Sequence, residues 1–390
     1  MRTHRDIPIE FVTPPALPVR KEKFLELDLR VMTALYGGGA EAGHNDADDP
    51  FRIPSIRGQL RFWWRATMGG RCEDADDLRK VEASIWGSTE ESSRVRLRML
   101  YADRGTERVA AGPGPDGRWQ KEQPDYALFP AQEDRKHIGK LYFGGRFRLE
   151  VAAEEEVLTD VDAALWAWVT FGGVGGRTRR GAGSLFCAPY AYAWKAEVLE
   201  GDGRPRAWPV LKGGTVVMGS HKYPWARCWE ECVNLLRDFR QHRFRPRGRS
   251  TWPEPDEIRR LRDQYAPQHA PVHAESGFPR AALGLPIIFH FKTDGDPQPN
   301  TLNVVAADDK EARMASPVIL KPWAVSATEA IPLMVVLNAP EAGRLVLRQS
   351  KPKAEDKLEG QDFRRGNRDE LFRNLIRTAE EKWDGRKLEL

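Results

Sequence analysis

Hydrophobic and polar residues alternate in several stretches of the first half of this chain, and stretches of helical period lie between them. Alternation predicts strands over residues 24–35, 95–101, 141–151 and 184–188. A helix with Ser55 as its N-cap is predicted after the first strand, and a helix capped by Thr159, Asp160 and Asp162 is predicted before the last one. This β-α-β-β-α-β order is that of a ferredoxin-like (RRM-like) domain.

The second half has a less regular pattern but the same kinds of element. Apolar spacing predicts helices over residues 225–242, 254–265 and 369–383. Strands are predicted over residues 286–291, 317–321 and 331–338, with several short strands over 195–218. The fold class is therefore α+β, with a ferredoxin-like domain over residues 1–192. Strands flanked by helices allow a second, degenerate ferredoxin-like domain over residues 193–390. Residues 103–123 are rich in glycine and proline without any period, and we interpret them as a mobile insertion.

Three arginines recur every four residues within the segment Phe51–Gly70. They are Arg57, Arg61 and Arg65. In a helix this spacing stacks them into one cationic stripe. Because the stripe holds only arginine, it favours contact with nucleic-acid phosphates over a solvated helix face. Gly58 leaves room for a bulky ligand near the helix N-terminus, whose free N–H groups suit a phosphate. Trp63 and Trp64 lie on the neighbouring apolar face and are interpreted as core anchors.

A second cationic segment, Phe171–Leu185, combines arginines with many glycines. Its residues expected to contact a phosphate backbone are Gly175, Gly176, Arg177, Arg179 and Arg180. Glycines let the backbone turn tightly and expose its N–H groups, and arginines add charge and planar donors. The segment follows a helix and lacks a Gly-Lys-Ser/Thr sequence, so it is neither a dinucleotide fingerprint nor a Walker loop. A flexible connector is the alternative, although connectors favour serine beside glycine.

Three segments carry a resemblance to a known family. IPSIRGQLRFWWRA, FGGVGGRTRRGAGSL and RMASPVILKP resemble signatures of the RAMP superfamily of CRISPR proteins. The first and third are similar to the family of first subunits of the type III-B CRISPR effector, the Cmr complex. The resemblance implies that both ferredoxin-like domains are RAMP domains, and that the partners are CRISPR RNA, single-stranded target RNA and other RAMP subunits. It further implies a non-catalytic, RNA-binding subunit in antiviral defence, located where the complex holds the 3′ part of the CRISPR RNA.

Two other functions stay open. A metal-independent RAMP-fold endoribonuclease that processes CRISPR precursor RNA would need a general base, for which His44 is the candidate. His44 lies among acidic residues in the loop 37–50 without a neighbouring acid–base partner, so the pattern favours a solvated loop. An assembly protein with no RNA contact of its own is the third possibility.

Two further groups of residues could either bind a ligand or have a purely structural role. Arg243 and Arg245 belong to an arginine-rich run that also contains Phe244, and aromatic interleaving favours contact with RNA. Cys228 and Cys232 are four residues apart on a predicted helix, and we interpret them as core residues rather than zinc ligands. No metal or cofactor is expected.

Composition is compatible with this interpretation. The 390 residues are 41% hydrophobic, which suffices for packed cores, and their formal net charge is only +4. Because the arginines are clustered, we expect a local basic groove rather than a uniformly basic surface. Four cysteines are too few for a disulfide framework in a chain of this length. The N-terminal residues lack an apolar signal-peptide core and no apolar run could span a membrane, so a cytoplasmic protein is expected.

Overall fold

The structure is a computed structural model. It describes residues 21–37, 39, 45–46, 48–115, 118–132, 139–241, 250–274, 277–306, 310–341, 343–349, 358 and 361–390. His44, Arg243 and Arg245 lie outside the described residues, so what the sequence predicts for them stays a prediction.

The described residues form seventeen strands and seven α-helices. The strands are β1 (Glu22–Val31), β2 (Val95–Asp103), β3 (Thr106–Val109), β4 (Ala111–Pro113), β5 (Trp119–Lys121), β6 (Lys140–Phe143), β7 (Arg146–Glu154), β8 (Leu185–Phe186), β9 (Val210–Met218), β10 (Tyr223–Pro224), β11 (Ile287–Phe289), β12 (Asn300–Val305), β13 (Glu311–Ala312), β14 (Val318–Ala324), β15 (Glu329–Asn338), β16 (Arg344–Gln349) and β17 (Arg386–Glu389). The helices are α1 (Ile53–Thr67), α2 (Ala75–Trp86), α3 (Asp125–Gln132), α4 (Leu158–Phe171), α5 (Trp225–Gln241), α6 (Glu254–Arg262) and α7 (Arg368–Trp383). The fold is thus α+β.

The first sheet contains strands at the four positions that the sequence predicts for the first half. The predicted strand 141–151 is, however, divided into β6 and β7, of which only β7 belongs to this sheet. Its strand order is β2-β7-β1-β8, and all of its pairs are antiparallel. Leu27 of β1 lies opposite Leu149 of β7, so the apolar positions of the two strands share one face. Helices α1 and α4 pack against this face through one continuous apolar cluster.

The second sheet repeats this strand order with elements of the second half. Strand β9 lies between β15 and β17, and β14 pairs with the other edge of β15, all antiparallel. Across the second sheet the strand order is β14-β15-β9-β17. If the four strands of each sheet are numbered along the chain, both sheets have the order 2-3-1-4. The short strand β10 adds to β15.

Helices α1 and α4 lie between the two sheets, and α5 and α7 cover the outer face of the second sheet. One apolar cluster joins Leu29 of β1 and Trp64 of α1 to Leu165 of α4 and Leu333 of β15. A separate cluster joins α5 and α7 to the opposite side of β14 and β15. This middle position explains why α4 is buried from Val161 to Phe171, apart from the half-buried Asp162.

Several predictions of local structure are wrong. Helix α1 begins at Ile53 with Arg52 as its N-cap, so Ser55 lies inside the helix behind Pro54. Helix α4 begins at Leu158, so its predicted capping residues also lie inside the helix. Asp160, one of them, instead accepts hydrogen bonds from Trp64 Nε1 and Arg71 Nη2, both at 2.7 Å.

The strand content of two segments also differs from the prediction. The supposed mobile insertion at 103–123 contains β3, β4 and β5, of which β3 pairs with β6 and β4 with β5. Residues 195–218 contain one nine-residue strand, β9, instead of several short ones. A third sheet, in which β12 pairs with β11, β13 and β16, packs with α6 around its own apolar cluster.

The four cysteines are free and buried, and Cys228 and Cys232 belong to the apolar cluster beneath α5. Within the described ranges, no group of histidine, cysteine and acidic side chains is arranged to hold a metal ion. In the same ranges, none of the helices has the length and apolar character required to cross a bilayer.

Candidate nucleic-acid interface

Helix α1 presents one buried and one accessible face, as its sequence predicts. Ile56, Leu60, Trp63 and Trp64 are buried, so the two tryptophans are core residues. Their rings fix α1 against α4, because the Trp63 ring lies 5.9 Å from that of Phe171 and Trp64 donates to Asp160.

The arginine stripe of α1 has protein partners. Arg57 donates to the carbonyls of Trp86 and Val95 at 3.3 and 2.9 Å, and burial lowers the pKa of its guanidinium group. Arg61 Nε and Arg65 Nη1 donate to the same carboxylate oxygen of Glu82, at 2.6 and 2.9 Å. The Glu82 side chain is 7% exposed and each of these arginines is 35% exposed. One carboxylate from α2 therefore offsets part of the charge that the stripe would show to a phosphate.

Gly58 on the accessible face has no internal packing reason to be glycine. A Cβ atom added there would meet no atom within 4 Å, and the residue is exposed. Glycine inside a helix costs about 1 kcal/mol relative to alanine. The open space above Gly58 is thus available to a ligand that approaches α1 closely.

The segment Gly172–Gly183, which we call the glycine–arginine loop, packs against the end of the first strand. Gly176 N donates to the Tyr36 carbonyl at 2.6 Å. Gly175 has a φ of +76°, and a Cβ there would lie 2.5 Å from Leu35 Cδ1 and 2.8 Å from the Tyr36 carbonyl oxygen. Only glycine fits this close approach.

The three arginines of this loop donate to backbone carbonyls. Arg177 Nε donates to Ala127 at 3.0 Å, and Arg180 Nη1 donates to Val318 at 2.9 Å. Arg179 Nη1 donates to the carbonyl of Ser316. Within the part of the chain that the structure describes, none of the three forms an ion pair with a carboxylate. The loop therefore holds concentrated positive charge that no carboxylate of the described residues neutralises.

The pKa values of these groups reflect that environment. Burial lowers the pKa of the Arg177 and Arg179 guanidinium groups. Burial, together with the nearby charges of Arg240 and Arg177, lowers the pKa of Arg180 to about 9. Burial and the neighbouring positive charges both raise the free-energy cost of keeping these arginines charged. A bound anion would lower that cost.

A buried lysine, Lys321, joins the base of this loop to the second sheet. Its Nζ donates to the carbonyls of Val169 and Gly172, at 2.9 and 2.7 Å, where α4 ends. Burial lowers the pKa of this amine to about 7. Arg179, Arg180 and Lys321 thus tie the loop to the segment 316–321 of the second half.

The structure brings the two predicted motifs together. Arg179 Cζ lies 5.5 Å from the centroid of the Phe62 ring on α1, and Trp63 Nε1 lies beside Gly172. Phe62 stands one turn beyond Gly58, so the open face of α1 leads towards the loop arginines. One continuous surface is therefore formed by Gly58, Phe62 and the glycine–arginine loop.

Comparison with known proteins supports a family assignment. The RAMP superfamily pattern matches residues 28–186, which include both α1 and the glycine–arginine loop. The chain is 32% identical over 176 residues to the CRISPR system Cmr subunit Cmr1-2 of Pyrococcus furiosus, a match that covers 40% of this chain and 91% of that protein. The chain belongs to the Cmr1 family of RAMP proteins. Its match to Cmr1-1 of the same organism is 31% identical over 153 residues, covering 34% of this chain and 39% of that one.

The fold agrees with this membership over nearly the whole chain. The crystal structure of apo Cmr1 from Pyrococcus furiosus matches with a TM-score of 0.50 and 18% identity, covering 94% of this chain and 99% of that one. The similarity of fold therefore extends beyond the part of this chain that the sequence comparisons match.

Sequence reasoning missed two residues that shape this surface. Lys321 is a single charge within the apolar strand VILKPW, and that isolation was a usable sign of a buried polar role. Glu82 gave no such sign, because an acidic residue on an amphipathic helix is ordinarily solvated.

Proposed function

We propose that this Cmr1-family chain is an RNA-binding subunit of a type III-B CRISPR effector complex. It contacts the 3′ part of the CRISPR RNA, helps to engage single-stranded target RNA beside other RAMP subunits, and cleaves neither. The observation that carries the proposal is the glycine–arginine loop, in which Arg177, Arg179 and Arg180 lie together and have no acidic partner among the residues that the structure describes. The family membership supports the assembly, since its relatives are named as Cmr subunits.

Physical chemistry favours an anionic partner at this loop. Burying charge without compensation is costly, and proteins ordinarily pair such groups with carboxylates, metal-bound anions or phosphates. Arginine is suited to phosphate because its planar guanidinium donates in two directions. The contacts involve backbone phosphates and not base edges, so we expect binding with little sequence preference.

We also infer that the fold comprises two ferredoxin-like RAMP domains, at residues 1–192 and 193–390. The identical strand order of the first and second sheets supports this division. Helix α6 and strands β11, β12 and β13 are then an insertion between α5, the first helix of the second domain, and β14, its second strand. Strand β16, which lies between β15 and α7 in the chain, completes the third sheet. The glycine–arginine loop lies where the two domains meet, since it contacts both residues 33–36, which follow β1, and strand β14.

RNA affinity is expected to fall steeply with salt. If the three loop arginines each neutralise one phosphate, the slope of log K against log salt is about −2 for a single strand, or roughly a 20-fold loss between 50 and 200 mM. Fluorescence anisotropy with labelled single-stranded RNA of several sequences measures this slope. A slope near zero, with affinity retained, would contradict phosphate-based binding.

Gly58→Ala is expected to stabilise the protein and weaken its RNA binding. The added methyl meets no atom of the protein, so the free energy of unfolding rises by about 0.5–1 kcal/mol through helix propensity. The same methyl occupies the space through which RNA approaches α1. Denaturant unfolding and RNA titration of one preparation test both effects, with Ser84→Ala on the exposed surface of α2 as the control. A stabilised variant with wild-type RNA affinity would place the RNA path away from α1.

A further inference from the structure

The module formed by α6 and the third sheet contains a buried charge network that the proposed function does not use. Arg259 of α6 donates to Asp296 through Nε and Nη2, at 3.1 and 3.0 Å, and to Asp256 through Nη1 at 3.1 Å. His269 Nδ1 lies 2.6 Å from Asp296, and His273 Nδ1 lies 2.7 Å from Asp256. Two imidazoles are therefore oriented by two carboxylates that share one guanidinium group.

The two carboxylates are committed to this network. Each Asp side chain is only 2% exposed, and each also accepts a backbone N–H, from Ala266 for Asp296 and from Val272 for Asp256. Although burial opposes it, hydrogen bonds from Arg259, Ala266 and His269 hold the pKa of Asp296 at about 2. Carboxylates held in this way fix the orientation of the histidines.

The network borders a cavity of about 400 Å³ between α6 and the residues that follow β11. His269, His290 and Lys292 line it together with Arg259, and Ile288 and Phe291 form an apolar part of its wall. His290 and Lys292 are exposed, in contrast to the two carboxylates. The exposed polar groups of the cavity thus include the cation Lys292 and the imidazole of His290, whereas its two carboxylates are buried and already paired with Arg259.

We propose that this cavity binds one nucleotide unit bearing a terminal phosphate. Its volume lies in the range of small-molecule pockets, which combine an apolar wall with a few convergent polar groups. Lys292, His290 and His269 receive the phosphate, and Ile288 and Phe291 contact the sugar and base. The ligand is a phosphate monoester on a nucleoside, supplied either by a free mononucleotide or by the phosphorylated end of an RNA. This site is separate from the glycine–arginine loop and does not depend on the proposed function.

The site is tested by titrating the full chain with AMP, adenosine and inorganic phosphate. Binding is measured by calorimetry and by the shifts of the imidazole C–H resonances in NMR spectra. AMP is expected to bind at least ten-fold more tightly than adenosine and to shift the resonances of His269 and His290. His290→Ala and Lys292→Ala each weaken AMP binding at least ten-fold, whereas Lys222→Ala, at an exposed lysine elsewhere, does not. Equal affinity for AMP and adenosine, or unchanged AMP binding in both cavity variants, overturns the proposal.

A second arm identifies the source of the phosphate and separates this site from the RNA-binding loop. Short RNAs ending in a 3′-phosphate or a 3′-hydroxyl are compared on wild type and on His290→Ala. A preference for the 3′-phosphate that disappears in His290→Ala assigns the site to an RNA end, and AMP binding without such a preference assigns it to a free nucleotide. Replacing Arg179 by glutamine leaves AMP affinity unchanged, since the loop is a different site. Absence of both AMP binding and end preference rejects the site, whatever the loop variants do to RNA affinity.

Discussion

Replacing Arg177, Arg179 and Arg180 together by glutamine is expected to weaken binding of single-stranded RNA by about 100-fold or more. A hydrogen bond to a charged group contributes about 1 kcal/mol or more, and three such losses amount to roughly 3 kcal/mol. Glutamine removes the charge but keeps an amide that can donate to carbonyls such as those of Ser316 and Val318. Anisotropy titrations at constant low salt measure the loss.

The matched control is the double variant Arg61→Gln and Arg65→Gln on α1. Both arginines already share Glu82, so we expect a smaller loss of RNA affinity, below ten-fold. A triple lysine variant of the loop retains the charge and should recover part of the affinity. If the triple glutamine variant has the unfolding temperature of the wild type and binds RNA equally well, the three loop arginines are not the RNA site.

The stability of the protein is expected to rise with pH above neutrality because of Lys321. Burial lowers the pKa of this amine in the folded protein to about 7, whereas an unfolded lysine keeps a pKa near 10.4. Between these values the unfolded chain binds a proton that the folded chain lacks, so raising the pH favours folding. From pH 7 to pH 9 this contribution to the free energy of unfolding is about 2 kcal/mol.

Lys321→Met tests this origin, because methionine fills a similar volume and does not titrate. Denaturant unfolding is measured at pH 7, 8 and 9 for both proteins. The wild type is expected to gain stability across the range relative to the variant. Parallel pH profiles would show that Lys321 has an ordinary pKa in the fold, held there by its two helix-terminal carbonyls.

Sequence patterns predicted the first half of the chain well because its elements are long and periodic. Strand β1 and helices α1 and α4 lie close to their predicted positions, and the burial of Trp63 and Trp64 followed from their spacing. The third sheet was largely missed, since β13 has two residues and β12 finds a partner in β16, more than forty residues later. Strands this short offer too few alternating positions for a period to be recognised in the sequence.

For the candidate interface, the sequence predicted the residue types but not their partners. The arginines of α1 and of the loop are both clustered in the sequence, yet only Arg61 and Arg65 of α1 meet a carboxylate in the described residues. That difference depends on how α2 packs beside α1, which a charge pattern cannot reveal. The attachment of the loop to Val318 and Lys321 likewise depends on the stacking of two sheets that are far apart in sequence.

The position of α1 and α4 as a layer between two sheets has a consequence for how the chain opens. Neither sheet can separate without exposing the apolar faces of both helices, so the two halves are expected to unfold in one cooperative transition. A ligand held only by the glycine–arginine loop then adds its binding free energy to the whole unit. Amide hydrogens of β15, on the far side of the helices, therefore exchange more slowly when RNA is bound, although RNA does not touch them.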